Sequence, residues 1–367
     1  MKVAIVVPTY NEKENIPPLV KAIFNQSEKV QNHTLYAVIA DSFSPDGTGD
    51  SVREEQNKYP HLALVEDKRR GIGIGLLTGM QKAFDVLKAD AVICMDADFS
   101  HDPDDIPRLI AEFDKGADVV IGSRYMKGGG TKNWGIVRKY GSMIVNQYIK
   151  TMLGLKPSEI TTNFRLFSKK VWEKLDKDSV PWTEKSFLTT PSLLYFVLKA
   201  VPEFKEIPIL FIDRTRGYSK AQLYTYALAI FKFSLKERKQ TILTFFRFLG
   251  VGLTGIAVNL VFLYFLVEKI AMHQELASPV AVEASIITNF IFNNFWTFRE
   301  RDVQSGFLGR FVKYNIISLL GLLITTLVFI FLTRAFNIYY LVAQFIGISL
   351  ATSWTFFASM KWAWKRN

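Results

Sequence analysis

Three acidic clusters combine carboxylates with turn-forming residues: Pro8-Thr9-Tyr10-Asn11-Glu12, Asp41-Ser42-Phe43-Ser44-Pro45-Asp46-Gly47-Thr48 and Asp96-Ala97-Asp98. A carboxylate accepts hydrogen bonds from the ring N–H of a base or from ribose hydroxyls, which suits Glu12 and Asp41. Two carboxylates bracketing a small residue, as Asp96 and Asp98 do, can hold a hard divalent cation such as Mg2+ or Mn2+ against a diphosphate. The cation offsets the repulsion between diphosphate and Asp and stabilises a departing nucleoside diphosphate. A lone Asp-x-Asp is commonly a solvated turn. The reading gains weight because three clusters follow in this order, each directly after a strand-like segment.

The elements that must position these clusters alternate regularly. Val3–Val7, Leu35–Ile39, Leu62–Val65, Ala91–Met95 and Val119–Ile121 have the short apolar character of strands. Between them Ile16–Phe24, Gly49–Asn57, Leu76–Leu87 and Ile106–Phe113 carry helical patterns. This alternation predicts an α/β fold with a doubly wound, largely parallel sheet, in which ligands bind beyond the carboxyl ends of the strands. Gly71-Ile72-Gly73-Ile74-Gly75 raises the question of a dinucleotide fold. Its spacing is not G-x-G-x-x-G, and Ala91-Val92 stands where an acidic ribose ligand belongs, so an oxidoreductase is rejected.

The first part of the chain resembles the family 2 glycosyltransferases with a GT-A fold, and among them the polyprenol (dolichol) phosphate mannose synthases. The residues that carry the likeness are Val6-Val7-Pro8-Thr9-Tyr10-Asn11-Glu12, Ser44-Pro45-Asp46-Gly47-Thr48, Met95-Asp96-Ala97-Asp98, Gly122-Ser123-Arg124-Tyr125 and Asp213-Arg214 through Gly217-Tyr218-Ser219-Lys220. The resemblance implies an inverting transfer from a nucleotide-sugar to a polyprenyl monophosphate. On its pattern Pro8, Tyr10, Glu12 and Asp41 cradle the nucleotide, Asp96 and Asp98 hold the metal, and the Gly-rich turn lies beside the donor. It assigns Arg124, Arg138 and Arg214 to the acceptor phosphate, with Ser142 and Lys220 assisting; the planar fork of Arg grips phosphate oxygens well. Lys127–Trp134, with its three glycines, reads as a mobile loop able to close over the donor. Ser42 replaces a second acid, Thr161-Thr162-Asn163-Phe164-Arg165 replaces Thr-Ser-Gly-Phe-Arg, and Thr190-Pro191 stands where a Glu is expected. No Gln-x-x-Arg-Trp follows, which disfavours processive synthases.

Beyond Thr241 the composition changes abruptly. Phe248–Val267, Tyr314–Thr333 and Ala335–Met360 are essentially uncharged, and Leu276–Phe298 is interrupted only by Glu283, so each reaches the roughly 20 residues that cross a bilayer. The expected organisation is a catalytic domain over 1–220, an amphipathic interfacial segment over 221–244 and a membrane domain over 245–367, with crossings near 246–268, 276–298, 311–334 and 336–360. Tyr224–Leu235, followed by Lys236, Arg238 and Lys239, has the pattern of a helix lying in the headgroup region. Arg247-Phe248 and Arg310-Phe311 each begin a hydrophobic pair, and each pair ends in an aromatic-basic exit, Phe295-Trp296-Thr297-Phe298-Arg299 and Lys361-Trp362-Ala363-Trp364-Lys365. The segment resembles the GtrA-like membrane domains, built of two duplicated helical hairpins.

Basic residues flanking the crossings place the chain ends and the catalytic domain on the cytoplasmic side by the positive-inside rule. The formal net charge of +11 is concentrated there, so anionic lipid explains it better than nucleic acid. No cleavable signal segment is expected, because Met1–Val7 leads straight into a strand. The one cysteine, Cys94, excludes an intrachain disulfide and reads as a buried strand residue. The favoured activity is transfer of mannose from GDP-mannose to a polyprenyl or dolichyl phosphate. Transfer of another hexose, such as glucose from UDP-glucose, and a non-catalytic sugar-lipid translocator or sensor are the alternatives.

Overall fold

The computed structural model describes residues 1–184, 188–212, 223–301, 303 and 305–365. The chain divides into two compact units, Met1–Ser234 and Leu235–Asn367. The division falls inside the segment expected to link the two domains.

In the first unit the strands are β1 (Lys2–Thr9), β2 (Thr34–Asp41), β3 (Leu62–Glu66), β4 (Ala91–Cys94), β5 (Val119–Ser123), β6 (Gly130–Lys132), β7 (Arg165–Ser168), β8 (Lys205–Pro208) and β9 (Leu210–Ile212). The helices are α1 (Ile16–Asn25), α2 (Thr48–Gln56), α3 (Ile72–Gln81), α4 (Ile106–Asp114), α5 (Ile136–Leu153), α6 (Lys169–Lys174), α7 (Thr189–Ala200) and α8 (Leu223–Glu237). The main sheet runs β3-β2-β1-β4-β7-β5-β8. Every neighbouring pair is parallel except those of β7, which is antiparallel to both β4 and β5. The expected α/β sheet, mostly parallel, is present.

Residue alternation along the strands divides the core between two faces. Val3, Ile5 and Val7 of β1 pack into one cluster with Ile16, Leu19 and Leu109, whereas Ala4 and Val6 join Met80, Leu194 and Phe233 in the other. Cys94 lies in this second cluster, where burial pushes its thiol up to about 12. Helix α8 contributes Ile230 and Phe233 to the same core, while Leu228, Phe231 and Leu235 remain exposed. The helix expected at the headgroups thus has one face packed into the catalytic unit.

The glycine run after β3 has a packing reason. It forms the first turns of α3, and a Cβ on Gly73 would sit 2.2 Å from the Trp182 carbonyl oxygen. On Gly75 it would lie 2.7 Å from Cβ of Pro8, and on Gly79 2.4 Å from Cγ1 of Val6. Only hydrogen at Gly75 and Gly79 lets α3 approach β1 so closely, and only hydrogen at Gly73 clears the Trp182 carbonyl. The Lys127–Trp134 segment also differs from expectation: Gly130–Lys132 is β6, paired in parallel with β9 as a two-stranded ribbon. Gly128, at φ +92, and Gly129, whose Cβ would meet the Ser123 carbonyl at 2.4 Å, allow the chain to fold back against the end of β5.

The second unit consists of α9 (Lys239–Tyr264), α10 (Gln274–Phe292), α11 (Phe307–Ala335) and α12 (Tyr340–Ala358). With their terminal turns these give four helices long and apolar enough to cross a membrane, Lys239–Lys269, Gln274–Thr297, Phe307–Ala335 and Tyr340–Ala363. Helix α9 packs chiefly on α10 and α11 on α12, in keeping with two hairpins. Both aromatic exits close with a π-turn, Asn293–Thr297 and Ser359–Ala363. There Phe298 and Trp364 stack at 4.6 Å, and Nη1 of Arg301 donates to the carbonyls of Met360 and Trp364 at 2.9 and 3.0 Å.

The close approach of α3 to β1 is testable. Gly79→Val should overpack this contact and lower the stability of the catalytic unit by about 1–3 kcal/mol, read as a lower denaturation midpoint of the full-length protein in detergent. An unchanged midpoint would contradict the packing role.

Candidate active site

Because β2, β1 and β4 are adjacent and parallel, the loops after them emerge side by side. The first two loops are stitched together. Thr9 is the register partner of Asp41, and its hydroxyl donates to Asp41 Oδ1 at 3.1 Å. Ser44 returns its backbone N–H to Asp41 Oδ2 at 2.8 Å and its hydroxyl to Oδ1 at 2.5 Å. The Asn11 N–H donates to Ser44 Oγ, the Lys13 N–H to Asp46 Oδ2 and the Glu12 N–H to Thr48 Oγ1. Asp41 is only 2 % exposed, and both its oxygens serve the loop. Its immediate work is to hold this loop edge in shape. Tyr10 and Glu12 are half-buried on that edge; Glu12 Oε2 accepts from Asn15 Nδ2 at 2.6 Å, and the Arg70 guanidinium lies 4.8 Å above the Tyr10 ring.

Asp96 and Asp98 follow β4 and are both partly exposed. The loop is braced from below by His101. The Asp96 N–H donates to His101 Nδ1 at 3.1 Å, which leaves the ring proton on Nε2, 3.2 Å from Thr162 Oγ1. The imidazole stacks on Phe164 at 5.0 Å. Burial pushes its pKa down despite the pull of Asp96 and Asp98, so it is a neutral prop.

The antiparallel strand completes the edge. As β7 runs opposite to β4 and β5, the residues just before it, Glu159–Phe164, arrive at the carboxyl ends of those two strands. Asn163 Nδ2 donates to Asp96 Oδ1 at 3.2 Å on one side. On the other, Arg124 gives Nε and Nη2 to the Glu159 carboxylate at 2.7 and 3.0 Å, and Nη2 also to Thr161 Oγ1 at 2.6 Å. The Tyr125, Trp134 and Phe211 rings surround the guanidinium at 5.1–5.4 Å. Both ionised groups are buried. Burial works against each charge, yet mutual attraction prevails: Arg124 is raised above its ordinary value, and Glu159 is held below its ordinary 4.5.

Ser142 on α5 shares a 2.7 Å hydrogen bond with the Tyr125 hydroxyl, and Arg138 on the same helix is exposed and stacks on Trp134 at 4.4 Å. The structure therefore gathers Arg124, Arg138 and Ser142 around Tyr125 and Trp134. Arg214 and Lys220 lie outside the described residues.

The sequence was compared with known proteins. Residues 4–176 match Glycosyl transferase family 2, and residues 247–364 match the GtrA/DPMS transmembrane domain. A dolichol-phosphate mannosyltransferase of Pyrococcus furiosus is 32% identical over 359 residues, 96% of each chain. The chain belongs to glycosyltransferase family 2. It is an integral membrane protein with a GtrA/DPMS transmembrane domain. A polyprenol monophosphomannose synthase of Mycolicibacterium smegmatis is 32% identical over 234 residues, 62% of this chain and 84% of that protein. An undecaprenyl-phosphate mannosyltransferase of Micrococcus luteus is 31% identical over 226 residues, 60% and 87% of the two chains.

In this glycosyltransferase several residues of the edge escaped sequence reasoning. Glu159 and His101 are the chief ones. A signal for His101 was its place three residues after Asp98 in a loop that must hold two carboxylates apart. Glu159 had none, because its partner is 35 positions away. Asn163, noted only as a departure, turns out to contact Asp96.

Removing Glu159 would leave Arg124 as an uncompensated buried charge. Glu159→Ala should destabilise the catalytic unit by about 3–5 kcal/mol. Since its folded pKa is depressed, the stabilisation from Glu159 is complete above the ordinary value of 4.5 and is lost as pH falls through the lower folded value. Acid denaturation of Glu159→Gln should thus be flatter below about pH 4.5 than that of the wild type. Parallel curves would exclude the pair as a source of the acid sensitivity.

Proposed function

We propose that this enzyme is a polyprenyl-phosphate mannosyltransferase that uses GDP-mannose, works on the cytoplasmic face of the membrane and inverts the anomeric configuration. The observation that carries the reading is one edge with acids on the nucleotide side and a braced arginine cluster across it, in a chain similar over nearly its whole length to a dolichol-phosphate mannosyltransferase.

An oxygen of the lipid phosphate attacks the anomeric carbon, the bond from that carbon to the diphosphate breaks, and the diphosphate leaves with the electron pair. A phosphate monoester is already anionic at neutral pH, so no general base has to remove a proton. Orientation then dominates. Glu159 and Thr161 occupy Nε and Nη2 of Arg124, which points to Nη1 as the atom that meets a phosphate oxygen. Arg138, Ser142 and, from the sequence pattern, Arg214 and Lys220 extend this acceptor side. Pro8, Tyr10 and Glu12 face the nucleotide on the loop edge that Asp41 shapes.

A divalent cation, Mg2+ or Mn2+, fits the residues present. Asp96 and Asp98 offer hard oxygen donors, and Ser100 Oγ beside them in the chain is buried without a hydrogen-bond partner among the described residues. No cluster of three or more His, Cys, Asp or Glu side chains able to hold a metal occurs among those residues. The diphosphate and water would supply further oxygen donors to such an ion. Bound there, it would neutralise charge on the leaving diphosphate. Asn163 and His101 hold Asp96 in place for it, and the Ser100 N–H donates to Asp98 Oδ1 at 3.1 Å.

Membranes containing the protein, incubated with labelled GDP-mannose, polyprenyl phosphate and Mn2+ or Mg2+, should form mannosyl-lipid. Sugar-lipid from UDP-glucose and none from GDP-mannose would overturn the mannose assignment. Asp98→Ala should lower transfer by more than about 100-fold while leaving the protein folded and membrane-inserted; normal turnover would defeat the metal role.

A further inference from the structure

One residue at the catalytic edge is held in a conformation that packing does not explain. Phe43, two positions beyond β2, has φ 50°, in the left-handed region where a bulky side chain is rarely found. Asn11 at φ 61° and Phe99 at φ 59° share that region. Asparagine tolerates it, and Phe99 packs against the core cluster that holds Val3, Ile16 and Leu109, which offsets its strain. Phe43 is 49 % exposed, so packing does little to offset the same strain. A single exposed aromatic residue is ordinary, but one that is both exposed and left-handed points to a use outside the fold.

Its surroundings indicate that use. Thr9, Asp41 and Glu66 stand in one register row across β1, β2 and β3, so Tyr10, Phe43 and Lys68 all follow within two positions of the same sheet edge. The Asn11 N–H donates to Ser44 Oγ at 2.9 Å, which brings the loop of Tyr10 against that of Phe43. The Asp67 N–H donates to the Asp41 carbonyl at 3.1 Å and adds the loop of Lys68. Lys68 Nζ lies 6.0 Å over the Phe43 ring, as the Arg70 guanidinium lies 4.8 Å over that of Tyr10. Aromatic faces with cations beside them suit a flat base that carries a diphosphate. Asp41 adds little direct readout of the base's edge, because it is 2 % exposed and accepts from Thr9 Oγ1 and from both the N–H and the hydroxyl of Ser44.

Resting on the reading of the donor as GDP-mannose, we propose that Phe43 is a specificity-determining residue whose exposed ring stacks on the donor's base and favours a purine over a pyrimidine. The two fused rings of a purine overlap a phenyl face more fully than the single ring of a pyrimidine, so the stack is stronger. The hydrogen bonds between Ser44 and Asp41 fix the turn that carries the strained residue. The ring is thus presented before the donor arrives, and little of the binding energy goes into ordering it.

Two substitutions separate the ring from the backbone. Phe43→Asn accepts the left-handed angle and removes the ring, whereas Phe43→Tyr keeps it. The full-length protein and both variants, in detergent with Mn2+, would be titrated with GDP and with UDP by isothermal calorimetry. Phe43→Asn should bind GDP at least about tenfold more weakly, a loss of about 1.4 kcal/mol, while UDP changes by less than about threefold, so that the purine preference narrows. Phe43→Tyr should stay within about threefold of the wild type for GDP. The denaturation midpoint of Phe43→Asn should be no lower than that of the wild type, because the strain is relieved; a residue kept for packing would lower it. Unchanged GDP affinity in Phe43→Asn, equal losses for GDP and UDP, or a lowered midpoint would overturn the stacking role and leave the GDP-mannose reading intact. A wild type that binds UDP and not GDP would instead remove that reading, and this role with it.

Discussion

The catalytic edge depends on one buried ion pair. Arg124 directly follows β5 and Glu159 precedes β7, and their paired charges close the gap between strands of opposite direction. Burial opposes both charges, and each partner offsets that cost for the other. Together they fix the guanidinium plane against Tyr125, Trp134 and Phe211, so that a flexible side chain becomes an oriented one. The cost of holding two charges out of water is offset by an arginine whose direction is settled before any substrate arrives.

The same segment reaches the other half of the site. Between Glu159 and Arg165 the chain supplies Thr161 to Arg124, Thr162 to His101 and Asn163 to Asp96. Arg165 anchors the segment from behind by donating to the carbonyls of Thr190 and Ile160 at 2.7 and 2.6 Å. The Asp96–Asp98 loop and Arg124 thus share one short scaffold. A shift in it would move both, Asn163 included.

The membrane unit obeys a different rule. Its outside is apolar, as lipid requires, and its polar side chains are spent inside, on Tyr314, Asn315 and the helix carbonyls. The two π-turns bring Phe298 and Trp364 together at one end of the bundle and tie the two hairpins there. Asn289, Asn293 and Thr297 break the pattern of satisfied polar groups along α10 and its terminal turn, each with an oxygen buried without a hydrogen-bond partner among the described residues.

Much of this was legible without coordinates. The strand-helix alternation set the order of β1 to β5, and the position of Asp96 and Asp98 after a strand put them at a ligand-binding edge, because in a parallel sheet chain direction alone decides where a loop emerges. The uncharged stretches defined four crossings, since the bilayer accepts little else. Other features rested on contacts between distant positions. The antiparallel insertion of β7, the pairing of Glu159 with Arg124, the prop of His101 and the packing role of Gly75 and Gly79 have no local signature, because each residue type is determined by a neighbour in space. Gly75 reads as part of a Gly-rich turn in one dimension and, with Gly79 of the following helix, as a tight helix-to-strand contact in three. The two asparagines of α10 and its terminal turn are a further case: in one dimension they are polar breaks in an apolar helix, and only the assembled bundle shows their oxygens buried without a hydrogen-bond partner among the described residues.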